Sequence, residues 1–113
     1  MELLFAAVVT WLVIHELDAM YHHEWRFFFA PIPVTDETAF RIFTALHAPA
    51  LLVVLWVFET PDFQRGFDVF VIAHAGAHLV LRDHPKVEFD TWFSAGWIYG
   101  GALLGAAHLY TTL

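Results

Sequence analysis

The chain contains no cysteine. That excludes a disulfide-stapled scaffold and a thiolate metal site, and leaves the redox compartment open. Basic residues are scarce as well: five Lys+Arg stand against twelve Asp+Glu, for a formal charge of −7. A nucleic-acid partner does not fit that balance. Charge of either sign is thin at 15% of residues, against about 25% in an ordinary soluble domain. What the chain has instead is apolar surface. Of 113 residues, 59% are hydrophobic and 18% aromatic, with a mean hydropathy of +0.60. One domain is the expectation from this length, with the lipid bilayer as its surroundings. Eight histidines are the unusual feature.

Four stretches approach the roughly 20 apolar residues of a spanning helix. They cover about 3–21, 39–58, 67–81 and 92–113, and the first opens with LLFAAVVTWLVI, which has no ionisable group. Backbone polar groups in lipid must be satisfied within the segment, so helices are expected rather than an open sheet. The predicted fold is all-α: one domain over 1–113, an integral membrane four-helix bundle running up-down-up-down through short connections. Glu2 stands where a signal peptide would be basic, and no small-x-small cleavage site follows, so the first helix is expected to be retained. Thr35/Asp36 and Asp90/Thr91 are candidate helix caps, and Pro61 with Gly66 suggests a turn. Arg26, Arg41, Arg82 and Lys86 lie in or beside the first and third connections, while Arg65 lies opposite. The positive-inside rule then places both termini outside.

Ionisable residues within such segments are expensive and face a bundle interior or a cavity. The first helix carries His15, Glu16, Asp18, His22 and His23; the others carry His47, His74, His78 and His108. His15, Asp18 and His22 are spaced i, i+3, i+7 and share a face, and His74 and His78 are i, i+4. At about 1.5 Å per residue from an inner boundary at Trp25, Arg41 and Arg82, Asp18, His47 and His74 fall roughly 10–12 Å deep. Glu16 and Asp18 have no Lys or Arg partner in that zone. A divalent cation would neutralise two carboxylates and use neutral imidazoles as further ligands. The expected metal ligands are therefore His15, Asp18, His22, His47, His74 and His78, with Glu16 as a catalytic proton acceptor or a ligand. Iron, zinc, manganese and copper all suit such a sulfur-free set.

Each feature has an ordinary alternative. The His74/His78 pair can hydrogen-bond between helices, His47 can satisfy the kink at Pro49, and Glu16 can bond another helix. His23, Glu24 and Arg26 read as boundary residues, His84 as part of a polar turn, and His108 as an interfacial anchor. Gly96-x-x-x-Gly100 and Gly101-x-x-x-Gly105 read as helix-packing faces.

HELDAMYHHEWRFF, followed by LHAPALLVVL, resembles a group of small bacterial multi-helix membrane proteins classed as a domain of unknown function. Their signature is His-Glu…Glu-Trp at the end of the first helix; His15, Glu16, Asp18, Glu24 and Trp25 match it here. The resemblance implies a short multi-helix membrane protein of unassigned activity, and the expected location is a bacterial inner membrane. His74-x-x-x-His78 is also similar to one histidine element of membrane fatty-acid hydroxylases and desaturases, whose H-x-x-H-H element is absent here. The expected function is a buried metal centre, with oxidoreductase or hydrolase chemistry on a lipid-soluble substrate. Two rival expectations are an electron-transfer protein with haem held by His47 and His74, and a non-enzymatic accessory subunit of a larger membrane complex or a homo-oligomer.

Overall fold

The computed structural model describes residues 2–87 and 91–113. Asp90, one of the cap candidates, lies outside the described residues. All regular structure among the described residues is helical: α1 (Leu3–Tyr21), α2 (Trp25–Phe28), α3 (Asp36–Trp56), α4 (Pro61–Val80) and α5 (Trp92–Thr111). Two of these, α1 and α3, are long and apolar enough to cross a membrane.

Local chemistry explains the boundaries. Thr35 Oγ1 accepts from the Thr38 amide at 3.1 Å, and Asp36 and Glu37 sit in the first turn of α3, where the helix dipole favours acids. Thr91 Oγ1 does the same for the Ser94 amide at 3.2 Å at the start of α5. The helix α4 begins at Pro61 rather than near Phe67, because proline at the first helical position lacks only an amide that would be unbonded there anyway. Gly66 consequently lies inside α4, not in a turn. The four-residue α2 was not legible as a helix. It is too short to carry a periodic pattern, and it is held by packing against α3.

Helix α5 packs along both α1 and α4. Gly105 makes the α4 contact possible, since a Cβ there would lie 2.5 Å from Val71 Cγ2. A Cβ on Gly100 would approach Trp11 Nε1 to 2.9 Å, while one on Gly96 would meet nothing within 4 Å. The small-residue faces therefore serve packing within the chain at positions 100 and 105, but not at 96. Phe5, Val8 and Val71 form the buried apolar core, with Phe58, Phe63, Phe67 and Leu104 against it. Helix α3 stands apart, and Ala39 is its only buried residue among those described. Leu52, Leu55 and Trp56 are exposed.

His108 corrects the reading of an interfacial anchor: it is fully buried. Its Nδ1 lies 2.6 Å from Asp68 Oδ2, and its Nε2 lies 2.9 Å from Glu2 Oε2. Asp68 is fully buried as well. With both acids ionised, each ring nitrogen donates a hydrogen bond, and one imidazolium ties α4, α5 and the residue preceding α1. Phe5 lies against the His108 ring at 5.2 Å between centroids.

Removing one member of a buried charge pair strands the other, which costs about 3–5 kcal/mol. His108→Ala is therefore expected to lower the thermal unfolding midpoint markedly, and Arg65→Ala, at an exposed pair with Asp62, to shift it little. Equal midpoints for His108→Ala and the native protein would contradict the assignment of this contact as a structural tie.

Candidate metal centre

The site begins with how α1 ends. His23 has φ 58, the only positive φ at a non-glycine residue among those described. Histidine is among the side chains that tolerate the left-handed region. The His23 amide bonds Met20 O at 3.4 Å and the Glu24 amide bonds Ala19 O at 3.1 Å. Together with a left-handed residue at the first position beyond the cap, these two bonds make a Schellman ending. The chain reverses there, and Glu24 is carried back beneath the last turns of α1.

Glu24 then meets the histidines. Its Oε2 lies 3.8 Å from His15 Nε2, and its Oε1 lies 3.8 Å from His78 Nε2. His74 Nε2 and His78 Nε2 are 3.1 Å apart, on successive turns of α4. Each of His15, Glu24, His74 and His78 offers one donor atom, and these four atoms all lie within 4.8 Å of one another. Metal–nitrogen and metal–oxygen bonds of about 2.0–2.2 Å place tetrahedral ligand atoms roughly 3.3 Å apart. The His74–His78 edge already has that spacing, and the other edges need modest contraction. Glu24 is 8% exposed, and its Oε2 has no hydrogen-bond partner among the described residues. Burial, and then the neighbouring Glu16 carboxylate, push the Glu24 carboxyl up to about 8. A cation seated among these donors would favour the ionised form instead.

The other expected ligands go elsewhere. Asp18 and His22 lie together but face α5: Ser94 Oγ–H donates to Asp18 Oδ2 at 2.6 Å, and His22 Nε2 is 3.3 Å from both Ser94 Oγ and Asp18 Oδ1. Positions 15 and 18 differ by about 60° round a helix, enough for α1 to turn one toward α4 and the other toward α5. His47 is outside the four-donor group too. Its Nδ1 is 2.7 Å from the Phe43 carbonyl, not the Ala45 carbonyl freed by Pro49. A carbonyl only accepts, so Nδ1 carries the hydrogen. His47 Nε2 lies 2.6 Å from Glu16 Oε2, leaving one proton to be held between them. Glu16 Oε1 is 3.9 Å from His15 Nε2, so this pair adjoins the four donors. The haem expectation used His47 and His74 as axial ligands; here their Nε2 atoms are engaged by Glu16 and His78.

Glu24 is the residue that sequence reasoning missed. It is nine positions from His15, and no helical periodicity joins them. Its place in HHEWR was the available signal, since a left-handed residue before it would return it to α1. Beside these groups opens a cavity of about 470 Å³ between α1, α2, α3 and α4. Glu16, Glu24, His47, His74 and His78 stand on its polar wall, and Phe27, Phe43 and Phe70 are among its apolar lining.

The chain belongs to a family of unknown function (DUF6713), whose sequence profile matches residues 1–113. No curated protein and no solved structure matches the chain.

If His23 places Glu24 by its left-handed backbone, glycine should serve there and a β-branched residue should not. A non-glycine residue in this region costs about 1–2 kcal/mol. His23→Gly is expected to retain or raise the unfolding midpoint, and His23→Val to lower it. A stable His23→Val variant with the midpoint of His23→Gly would contradict the role given to this turn.

Proposed function

We propose that this family member is an integral membrane protein that holds one divalent transition-metal ion through His15, Glu24, His74 and His78. The single observation that carries the reading is the convergence of those four donor atoms within 4.8 Å, built from two helices and the turn between α1 and α2. Three imidazoles and a carboxylate without sulfur suit zinc, iron, manganese or copper. Asp18 and His22 belong to a separate hydrogen-bonded group with Ser94, and His47 acts through Glu16.

In this reading the four long helices form an up-down-up-down bundle in a bacterial inner membrane, with both termini outside. Four side-chain contacts support that path. Glu2 meets His108 and Asp18 meets Ser94, which sets α1 antiparallel to α5. Glu16 meets His47 and Met20 Sδ lies 3.8 Å from Thr44 Oγ1, which sets α1 antiparallel to α3. Apolar α1 and α3 supply the lipid-facing surface.

The chemistry is metal-dependent oxidation–reduction or hydrolysis of a lipid-soluble substrate. When bound, the ion would supply Lewis acidity, an activated water or a redox couple. The chain supplies the rest. Phe27, Phe43 and Phe70 keep the cavity apolar, and the Glu16–His47 pair holds a transferable proton on its wall.

The test is metal content. Protein purified in mild detergent without added metal is expected to carry about one equivalent of a transition metal by elemental analysis, as one four-ligand site requires. Glu24→Gln and His74→Ala should lose it, whereas Asp18→Asn should keep it. Stoichiometric metal in both Glu24→Gln and His74→Ala would overturn the assignment. A haem absorbance spectrum would replace it with electron transfer. Metal-free native protein that co-purifies with a partner would replace it with the accessory-subunit reading.

A further inference from the structure

The cavity beside the four donors has a shape and a charge that the metal reading leaves unused. Along α4 it extends from Phe70 to Leu81, roughly 16 Å at the helical rise per residue. Its volume of about 470 Å³ falls within the range of about 300–1,000 Å³ typical of small-molecule sites. The long walls are phenylalanine and alanine: Phe43 on α3 faces Phe70, Ala73 and Ala77 on α4. The small side chains at 73 and 77 line the cavity beside His74 and His78.

The inner end differs. Lys86 lies at the cavity beyond Leu81, is the only lysine in the chain, and is exposed. Its amide donates to His84 Nδ1 at 3.0 Å, which shapes the turn. Its ammonium has no ion pair among the described residues, although acids outnumber bases twelve to five. A cation at one end of a long apolar cavity is complementary to an anionic head on a single hydrocarbon chain.

We propose that the cavity binds a free fatty-acid-type anion, with its carboxylate at Lys86 and its acyl chain running past His78 and His74 to Phe70. The proposal deepens the metal-site reading and rests on it for any chemistry at the chain. The binding itself does not need the ion. The observations favour one chain over a diacyl lipid because the cavity holds only about 470 Å³, and an acid over a neutral quinone because Lys86 lines its end.

The full-length protein in detergent, as purified and after chelator treatment, is irradiated with a long-chain fatty acid carrying a mid-chain diazirine. Adducts are then mapped by mass spectrometry. The expected adducts fall on Phe43, Phe70, Ala73 or Ala77 in both samples. Unlabelled palmitate should suppress them at about tenfold lower concentration than methyl palmitate, a difference of about 1.4 kcal/mol. Lys86→Gln should erase that preference with the unfolding midpoint unchanged, because Lys86 is exposed. Adducts confined to lipid-facing Leu52 and Leu103 would overturn the site. Equal suppression by the methyl ester or a quinone would overturn the anionic head, and stronger suppression by a diacyl phospholipid would overturn the free acid as occupant. Metal is assayed on the same samples. Ion-free native protein that still labels the cavity upholds the acyl site while overturning the metal reading, and ion-loaded protein labelled only at Leu52 and Leu103 does the reverse.

Discussion

A carboxylate withdrawn from water costs several kcal/mol unless compensating charge or hydrogen bonds accompany it, and Glu24 is withdrawn into a group of three imidazoles. The rest of the site follows from that constraint. The left-handed His23 turns the chain back so that Glu24 lies under α1. The i, i+4 spacing on α4 presents His74 and His78 as a pair, and α1 brings His15 against both, with ring centroids 4.7 and 5.1 Å away. A bound cation would turn an expensive arrangement of buried groups into a favourable one, coupling ion binding to the stability of the helix pairing. Without one, the cluster relies on neutral forms and partial contacts.

At the other end of the helices the same difficulty has a different solution. His108 sits between two acids, so the buried Asp68 carboxyl finds its partner within the chain itself. That contact ties α4 and α5 to the start of α1, while Phe5 and its aromatic neighbours exclude water around it. Gly105 allows α5 close enough to Val71 for the contact to form. Three helices are thereby fixed together at one end, and the four-donor group lies between two of them toward the other. The fourth long helix, α3, is joined to α1 through Glu16–His47 and to α2 by packing and the Arg26–Asp36 pair. Sparse burial on α3 leaves room for the cavity between it and α4.

Much of this architecture was legible in the residues. The apolar stretch from Leu3 to about Tyr21, opening with the uninterrupted LLFAAVVTWLVI, marked α1, Thr35 and Thr91 marked two helix starts, and the His74/His78 spacing marked half of the candidate site. Helical periodicity reports which residues share a face, as it does for His74 and His78. What it does not report is which neighbouring helix a face meets. Asp18 and His22 therefore joined His15 on paper but turned toward Ser94 in three dimensions. Nor does periodicity reach past the end of a helix, so Glu24 was read as a boundary residue. His108 was misjudged for a related reason: its partners Asp68 and Glu2 are distant in sequence, and only packing through Gly105 brings Asp68 beside it.

In the proposed function His15, Glu24, His74 and His78 share one ion. X-ray absorption at the metal edge of the purified, metal-loaded protein tests it most directly, because imidazole rings scatter in a pattern that isolated oxygen ligands lack. The expected result is a first shell of nitrogen and oxygen at about 2.0–2.2 Å, outer-shell scattering from three imidazoles, and loss of one oxygen ligand in Glu24→Gln reloaded at high ion concentration. A shell of oxygen alone, with no imidazole scattering, would place the ion elsewhere and contradict the account.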